Sequence, residues 1–368
     1  MRVLVTGAQG FIGKNLVIHL NELDHFSVLV FTRENTLDEL NRLVEKADAI
    51  IHLAGENRPK DVSAFKVVNI ELTQSLCDAI RDSGRNIPLV LASSIQTEQH
   101  NPYGKSKLAA ERAVESLANE TGNSVYIYRL PGVFGKWCKP NYNSVVATFC
   151  HNIARNIPIQ INDKSVSLRL VYVDDVVLDF IRVIQQDIDG ISMPEIKPEY
   201  LVTLGELAEQ IHAFQNCRTN LISEPVGTGM VRGLYSTYMS YLLPEQFAYD
   251  LPKHSDERGC FVEILKTRES GQFSFFTAYP EETRGGHYHH SKTEKFLVIK
   301  GSARFKFRHI DTDEVFELFT SGDNPKVVDT IPGWVHEITN VGEEEMLALL
   351  WANEIFNQNY PDTINAKV

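Results

Sequence analysis

At 368 residues, with a formal charge of −12 and a pI near 5.5, the chain is too long for one ordinary core and too acidic for nucleic acid or an anionic membrane to be its main partner. Its five cysteines, Cys77, Cys138, Cys150, Cys217 and Cys260, are scattered and include no Cys-x-x-Cys pair, which excludes a closed disulfide framework and predicts reduced core thiols in a cytoplasmic protein. No apolar run approaches the roughly 18 residues of a spanning helix, and residue 2 opens a strand in place of a secretory leader.

In chain order, short apolar runs at 3–5, 28–31, 49–53, 89–92 and 125–128 read as buried parallel strands, with helices predicted over 12–23, 69–81 and 106–119. This alternation predicts an α/β Rossmann-type, doubly wound parallel sheet. After Pro244 the pattern turns to β, with strands predicted over 261–266, 273–279, 295–299, 303–307 and 346–351, as in a small barrel or sandwich. The expected division is a first domain over 1–243, a linker over 244–251 and a second domain over 252–368.

Gly7-x-x-Gly10-x-x-Gly13 follows the first strand and opens the first helix. Glycines there permit a tight turn and let backbone amides approach a pyrophosphate. Gly7, Gln9, Gly10, Phe11 and Ile12 are therefore the expected dinucleotide contacts. At the end of the second strand, Arg33 stands where an NAD-selective site usually carries a carboxylate. That favours pairing with a 2′-phosphate, hence NADPH, while the adjacent Glu34 leaves NAD open. Farther on, Tyr103 and Lys107 lie four apart, on one face of a predicted helix, with Ser93 and Ser94 ending the preceding strand. An ammonium beside a phenol is expected to lower its pKa and fit it for proton transfer to a carbonyl.

Thr6-Gly-x-x-Gly-Phe-Ile-Gly13, His52-Leu-Ala-Gly55, Asn69, Ser93-Ser94, Tyr103-x-x-x-Lys107, Arg129-Leu-Pro-Gly-Val-Phe-Gly135 and Tyr172-Val-Asp-Asp175 together resemble the extended, sugar-nucleotide-modifying short-chain dehydrogenase/reductases. The resemblance covers residues 1 to about 240. It implies Tyr103 as catalytic acid, Lys107 as its partner and ribose ligand, Ser94 as the carbonyl-orienting hydroxyl, and Leu53, Ala54, Gly55 and Pro131 along the nicotinamide. Two departures stand out. Only eight residues separate Ser94 from Tyr103, which leaves Ser93 or Thr97 as alternatives, and the third strand–helix unit is compressed between Arg33 and Asp48. Arg129, Arg155 and Arg169 are either phosphate ligands or surface charges, and Trp137, Tyr142 and Tyr172 either stack on the substrate or pack the core.

His287 and His289 project from one face of a strand, and Glu294 and His336 can reach the same point from neighbouring strands, a donor set suited to zinc or another divalent metal. Gly-x-His287-x-His289, Glu294, Gly301 and Pro332-x-x-x-His336 resemble the cupin superfamily, which implies a jelly-roll barrel with His287, His289, Glu294 and His336 as metal ligands. His290 offers an alternative register. Arg284-Gly-Gly-His-Tyr-His289 also resembles cupin-fold 4-keto-6-deoxyhexose nucleotide epimerases, in which the residue matching His287 is the proton-abstracting base; ligand and base readings compete for its nitrogen.

Both halves in this order resemble the bifunctional enzymes of capsular polysaccharide precursor synthesis. That resemblance implies a UDP-linked 2-acetamido-2,6-dideoxy-4-ketohexose, epimerised at C3 in the barrel and reduced at C4 with NADPH to UDP-2-acetamido-2,6-dideoxy-L-talose, towards UDP-N-acetyl-L-fucosamine. It also implies a homodimer. The C3 hydrogen is acidic only while C4 is a ketone, so epimerisation must precede reduction. The alternative is a reductase whose barrel is only a metal-stabilised dimerisation or binding module.

Overall fold

The computed structural model describes residues 1–186 and 190–368. It comprises two compact units, residues 1–211 with 227–242, and residues 212–226 with 243–368. No helix among the described residues is long and apolar enough to cross a membrane.

The first unit alternates β1 (Arg2–Thr6), α1 (Phe11–Asn21), β2 (Ser27–Phe31), α2 (Leu37–Lys46), β3 (Ala49–His52), α3 (Leu72–Ser83), β4 (Leu89–Ser94), α4 (Pro102–Thr121) and β5 (Val125–Leu130). There follow β6 (Gly132–Phe134), α5 (Val145–Ala154), β7 (Ser167–Tyr172), α6 (Val173–Val183), β8 (Ile191–Ser192), β9 (Tyr200–Thr203), α7 (Leu204–Asn220), whose residues from 212 on count with the second unit, and α8 (Gly229–Met239), while β10 (Ile222–Ser223) belongs to the second unit. The main sheet has the order β2-β1-β3-β4-β5-β8 and is parallel throughout. Side-chain alternation splits its core: Val3 and Val5 pack with Leu16, Leu20 and Phe180 on one face, Leu4 with Leu40, Leu76 and Val114 on the other. Each such fully buried side chain stabilises the layer by about 1.5–3 kcal/mol.

The compression after Arg33 has a simple outcome. From β2 the chain passes through α2 straight back to β3 on the far side of β1, so β2 is the margin of the sheet. The reversal of strand order falls between β1 and β3, where open α/β sheets bind ligands beyond the carboxyl ends of the strands. A capping box fixes the short α2: Thr36 Oγ1 accepts from Glu39 N–H while Glu39 Oε2 accepts from Thr36 N–H.

In the second unit β10 lies parallel to β12 (Gly259–Thr267), which also pairs with β11 (Lys253–Asp256). The rest is β13 (Gly271–Ala278), β14 (Thr283–Tyr288), β15 (Glu294–Lys300), β16 (Ser302–His309), β17 (Val315–Ser321), β18 (Val327–Asp329), β19 (Trp334–Asn340), β20 (Met346–Ala352) and β21 (Ile364–Asn365). These form two sheets, ordered β10-β12-β13-β20-β15-β18 and β17-β16-β19-β14-β21. Phe276, Phe296 and Ala348 of one meet Phe305, Phe307 and Ile338 of the other, so the core lies between the sheets. The β14–β19 register carries one extra residue on β14 between Gly285 and His287, which brings His287 opposite His336.

Candidate active sites

In the first unit the β1–α1 turn is built by contact. A Cβ on Gly7, whose φ is +70°, would stand 2.6 Å from Ala54 N, and one on Gly13 only 2.2 Å from Gly7 O. Gly10 is the N-cap and supplies no side-chain cap, while the first turn of α1 carries no acid. The amides of the first turn, beginning at Phe11 and Ile12, therefore face outward with the positive end of the helix dipole. Gln9, with Ala8, Lys14 and Trp137, lines a cleft of about 420 Å³ beside this turn. Beneath it His52 is clamped between Thr6 Oγ1 (2.7 Å) and Thr73 Oγ1 (2.9 Å). Burial, aided by Lys107, pushes its pKa down to about 3, so this imidazole is neutral.

Leu53, Ala54 and Gly55 run on from β3, and Asn69 holds the next residue by both backbone groups, donating to Glu56 O (2.9 Å) and accepting from Glu56 N–H (2.7 Å). Arg33, 85% exposed, pairs with the Glu56 carboxylate. Asn101 caps α4 by accepting from Gly104 N–H at 2.7 Å, with Pro102 in the first turn, and this sets Tyr103 at the start of the helix. Tyr103 is half-buried against Phe65, ring centroids 5.9 Å apart. Burial raises its pKa, opposed by a hydrogen bond with Ser94. This reverses the lowering expected from Lys107. The ammonium of Lys107 instead donates to Ala92 O at 2.7 Å, and burial holds it near 8.

Ser94, not its neighbours, is the hydroxyl beside Tyr103. Ser93 donates to buried Glu111 at 2.5 Å, and Thr97 donates to Ser94 O. Glu111 also takes Arg129 in a two-pronged ion pair, Nη2–Oε2 2.7 Å. Arg155 donates to Tyr241 O and Arg169 grips Glu199, so all three candidate phosphate arginines have internal partners. Tyr172 packs on Phe134, whereas Trp137 is exposed and Tyr142 lies under Lys139. Pro131, half-buried, follows β5.

In the second unit the donor atoms of His287, His289, Glu294 and His336 all lie within 4.8 Å of one another. His290 lies outside this group, its ring against Tyr288. His289 Nδ1 meets the main-chain oxygen of Asp362 at 2.5 Å, and because a carbonyl only accepts, that nitrogen carries the proton. In the neutral ring this leaves Nε2 as the lone pair. The Nε2 atoms of His289 and His336 are both buried without a hydrogen-bond partner, each 3.4 Å from Glu294 Oε2. Two orphaned imidazole nitrogens and a buried carboxylate fit a divalent metal. Burial pushes the Glu294 carboxyl upward, but His289, His336 and Lys292 outweigh it and hold it well below the usual carboxylate range. Burial, with His336 second, pushes His287 down to about 4. His287, Glu294 and His336 line a cavity of about 140 Å³ with Phe261, Phe296 and Arg284, the one Lys or Arg among the described residues of its wall.

Sequence reading assigned no role to Glu111, Lys292, Arg284 or Asp362. Glu111 left a signal, four residues after Lys107 on the same helical face. Asp362 left none.

Residues 3–193 match the NAD dependent epimerase/dehydratase family, and residues 254–364 match the family described as polysaccharide biosynthesis C-terminal domain. The chain is 55% identical over 368 residues to a UDP-2-acetamido-2,6-beta-L-arabino-hexul-4-ose reductase of Pseudomonas aeruginosa, covering 100% of this chain and 99% of that protein. A crystal structure of the capsular polysaccharide assembling protein CapF from Staphylococcus aureus superposes with TM-score 0.92 at 42% identity, covering 100% of both chains. A UDP-glucuronic acid 4-epimerase from Bacillus cereus shares the fold alone, with TM-score 0.57 and 17% identity over 66% of this chain and 98% of that one. The chain thus belongs to the NAD dependent epimerase/dehydratase family and, along its whole length, to the two-domain group of that reductase and CapF.

Proposed function

We propose that this chain is a bifunctional, homodimeric sugar-nucleotide enzyme. Its C-terminal unit, a metal-binding cupin, inverts C3 of a UDP-linked 2-acetamido-2,6-dideoxy-4-ketohexose, and its N-terminal unit reduces C4 to give UDP-2-acetamido-2,6-dideoxy-L-talose, towards UDP-N-acetyl-L-fucosamine. The observation that supports the reading is one chain with Ser94 beside Tyr103, and Lys107 one helical turn on, in a parallel α/β unit, together with the His287, His289, Glu294 and His336 cluster, three of which line a cavity. Its full-length similarity to a 4-ketosugar-nucleotide reductase supports the substrate class.

In the first unit, NADPH when bound supplies hydride to C4. Tyr103, kept protonated by burial, gives its proton to the C4 oxygen, and Ser94 hydrogen-bonds that oxygen and orients it. Gly7, Gln9, Gly10, Phe11 and Ile12 bind the pyrophosphate, Arg33 the 2′-phosphate, Lys107 the ribose, and Leu53, Ala54, Gly55 and Pro131 flank the nicotinamide. In the second unit, His289, Glu294 and His336 hold the metal, which when bound stabilises negative charge on the substrate oxygen. No hydrogen bond among the described residues fixes the His287 ring, and it faces the cavity, so it takes the C3 proton, and a solvent-derived proton delivered to the opposite face of C3 completes the inversion. Arg284 supplies positive charge from the same wall.

The test is incubation with the 4-keto UDP-sugar in deuterated water, with and without NADPH, followed by NMR. Deuterium at C3 without NADPH, and reduction at C4 with it, is the expected pair of outcomes. Reduction without C3 exchange would assign the barrel a binding or dimerisation role instead, and neither change would refute the reading altogether.

A further inference from the structure

The four donors of the cluster do not orient themselves. A carboxylate can present one oxygen or two, and an imidazole either nitrogen. Two residues outside the donor set remove that freedom. Lys292 is 8% exposed and places Nζ 2.8 Å from Glu294 Oε1, leaving Oε2 to face His289 and His336. Asp362, about 70 residues farther along, accepts on its carboxylate the backbone N–H groups of His290 (2.9 Å), Ser291 (2.7 Å) and Lys292 (2.8 Å) and the Ser291 hydroxyl (2.9 Å). Its own main-chain oxygen takes the Nδ1 proton of His289. One side chain thus gathers the whole turn between His289 and Glu294, and its backbone sets the tautomer of the histidine.

Resting on the metal reading above, we propose that Lys292 and Asp362 are positioning residues that select the donor atoms of the cluster. Lys292 reserves Oε1, so that Glu294 binds through a single oxygen. Asp362 locks His289 with Nε2 inward. Such a site has few, fixed donors and suits a small tetrahedral ion better than calcium or magnesium, which take more oxygens. Lys292 also compensates charge: buried beside Glu294, it offsets the carboxylate without occupying a donor position. Without Lys292, Glu294 is free to bind through both oxygens. Without the Asp362 carboxylate, the turn loses four hydrogen bonds and His289 can rotate.

The experiment loads the metal-free full-length protein with Co²⁺, whose visible bands are intense when four-coordinate and weak at higher coordination, and measures affinity by chelator competition. Far-ultraviolet circular dichroism of the metal-free proteins checks the fold. Asp362→Ala should weaken Co²⁺ about 10- to 100-fold, and Asp362→Asn, which keeps an oxygen acceptor, should recover most of that loss. Lys292→Met should bind Co²⁺ with weakened visible bands, as the carboxylate supplies a second oxygen. Should Asp362→Ala not fold, Lys292→Met decides. Wild-type affinity in Asp362→Ala, or wild-type spectra in Lys292→Met, would overturn the proposal while leaving the metal reading intact. Failure of the wild-type chain to bind Co²⁺ would overturn both.

Discussion

Lys107→Met should make the protein more stable while destroying its reductase chemistry. Burial depresses the Lys107 pKa from 10.5 to about 8, which corresponds to a charged-form penalty of about 3 kcal/mol at neutral pH. Replacement forfeits the hydrogen bond to Ala92 O, a cost of about 1 kcal/mol. It strands no counter-charge, because Glu111 keeps Arg129. The net expectation is a gain of about 2 kcal/mol at pH 7. The pH dependence gives the sharper signature. Below pH 8 both folded and unfolded wild-type chains hold the proton, and the penalty is complete. Between about 8 and 10.5 the unfolded chain binds the proton and the folded one releases it, so wild-type stability rises and the advantage of the variant shrinks. Urea unfolding at pH 7 and pH 10, read at 222 nm, is the assay; helical signal comes chiefly from α1 to α8, whereas the rest of the second unit is β. A variant no more stable than wild type at pH 7, or a gain undiminished at pH 10, would refute the reasoning.

Gly7→Ala and Gly10→Ala should part company. A methyl at Gly7 meets Ala54 backbone at 2.6 Å under a φ of +70°, so cofactor binding and about 2 kcal/mol of stability should go together. At Gly10 the nearest atom is Gly7 O at 3.1 Å, so stability should change little while NADPH affinity falls at least tenfold; equal urea midpoints for the two variants would contradict this. Glu56→Gln frees Arg33 from its exposed ion pair and should tighten NADPH about 2- to 5-fold relative to NADH. An unchanged ratio of the two dissociation constants in calorimetry would remove Arg33 from the 2′-phosphate site.

Patterns of short range were the legible ones. Val3-Leu4-Val5 buries on both faces of a sheet because it is apolar at every position, and the glycine turn after it is required by contacts that any residue with a Cβ would violate. His287, His289, Glu294 and His336 could be grouped because strand periodicity puts alternate residues on one face. What failed was whatever depended on the surroundings of a group. The Tyr103–Lys107 spacing specifies a shared helical face but not that burial would outweigh the ammonium, nor that the ammonium would turn to Ala92. Strands β17 and β18 were not singled out, and β14 and β19 entered only as the strands carrying His287 and His336. Val315-Phe316-Glu317-Leu318-Phe319 is mostly exposed, so burial does not impose the alternation that sequence reading uses. Ile222–Ser223 is two residues long, and no composition change announces that it adds to the edge of the second unit. Asp362 acts across 70 to 73 positions, a range at which no periodicity speaks.

The extra residue in β14 governs sidedness. Arg284 and His336 already point into the cavity, and strict alternation from Arg284 would send Gly286 inward and His287 to the opposite face. By inserting one position at φ +77°, the strand changes parity, and the imidazole lands across from its partner. Were β14 to pair with β19 at full length without the bulge, every donor would remain in the chain and in its order, yet the first histidine would stand opposite Val335 and on the wrong side. Chemistry here is decided by counting odd against even.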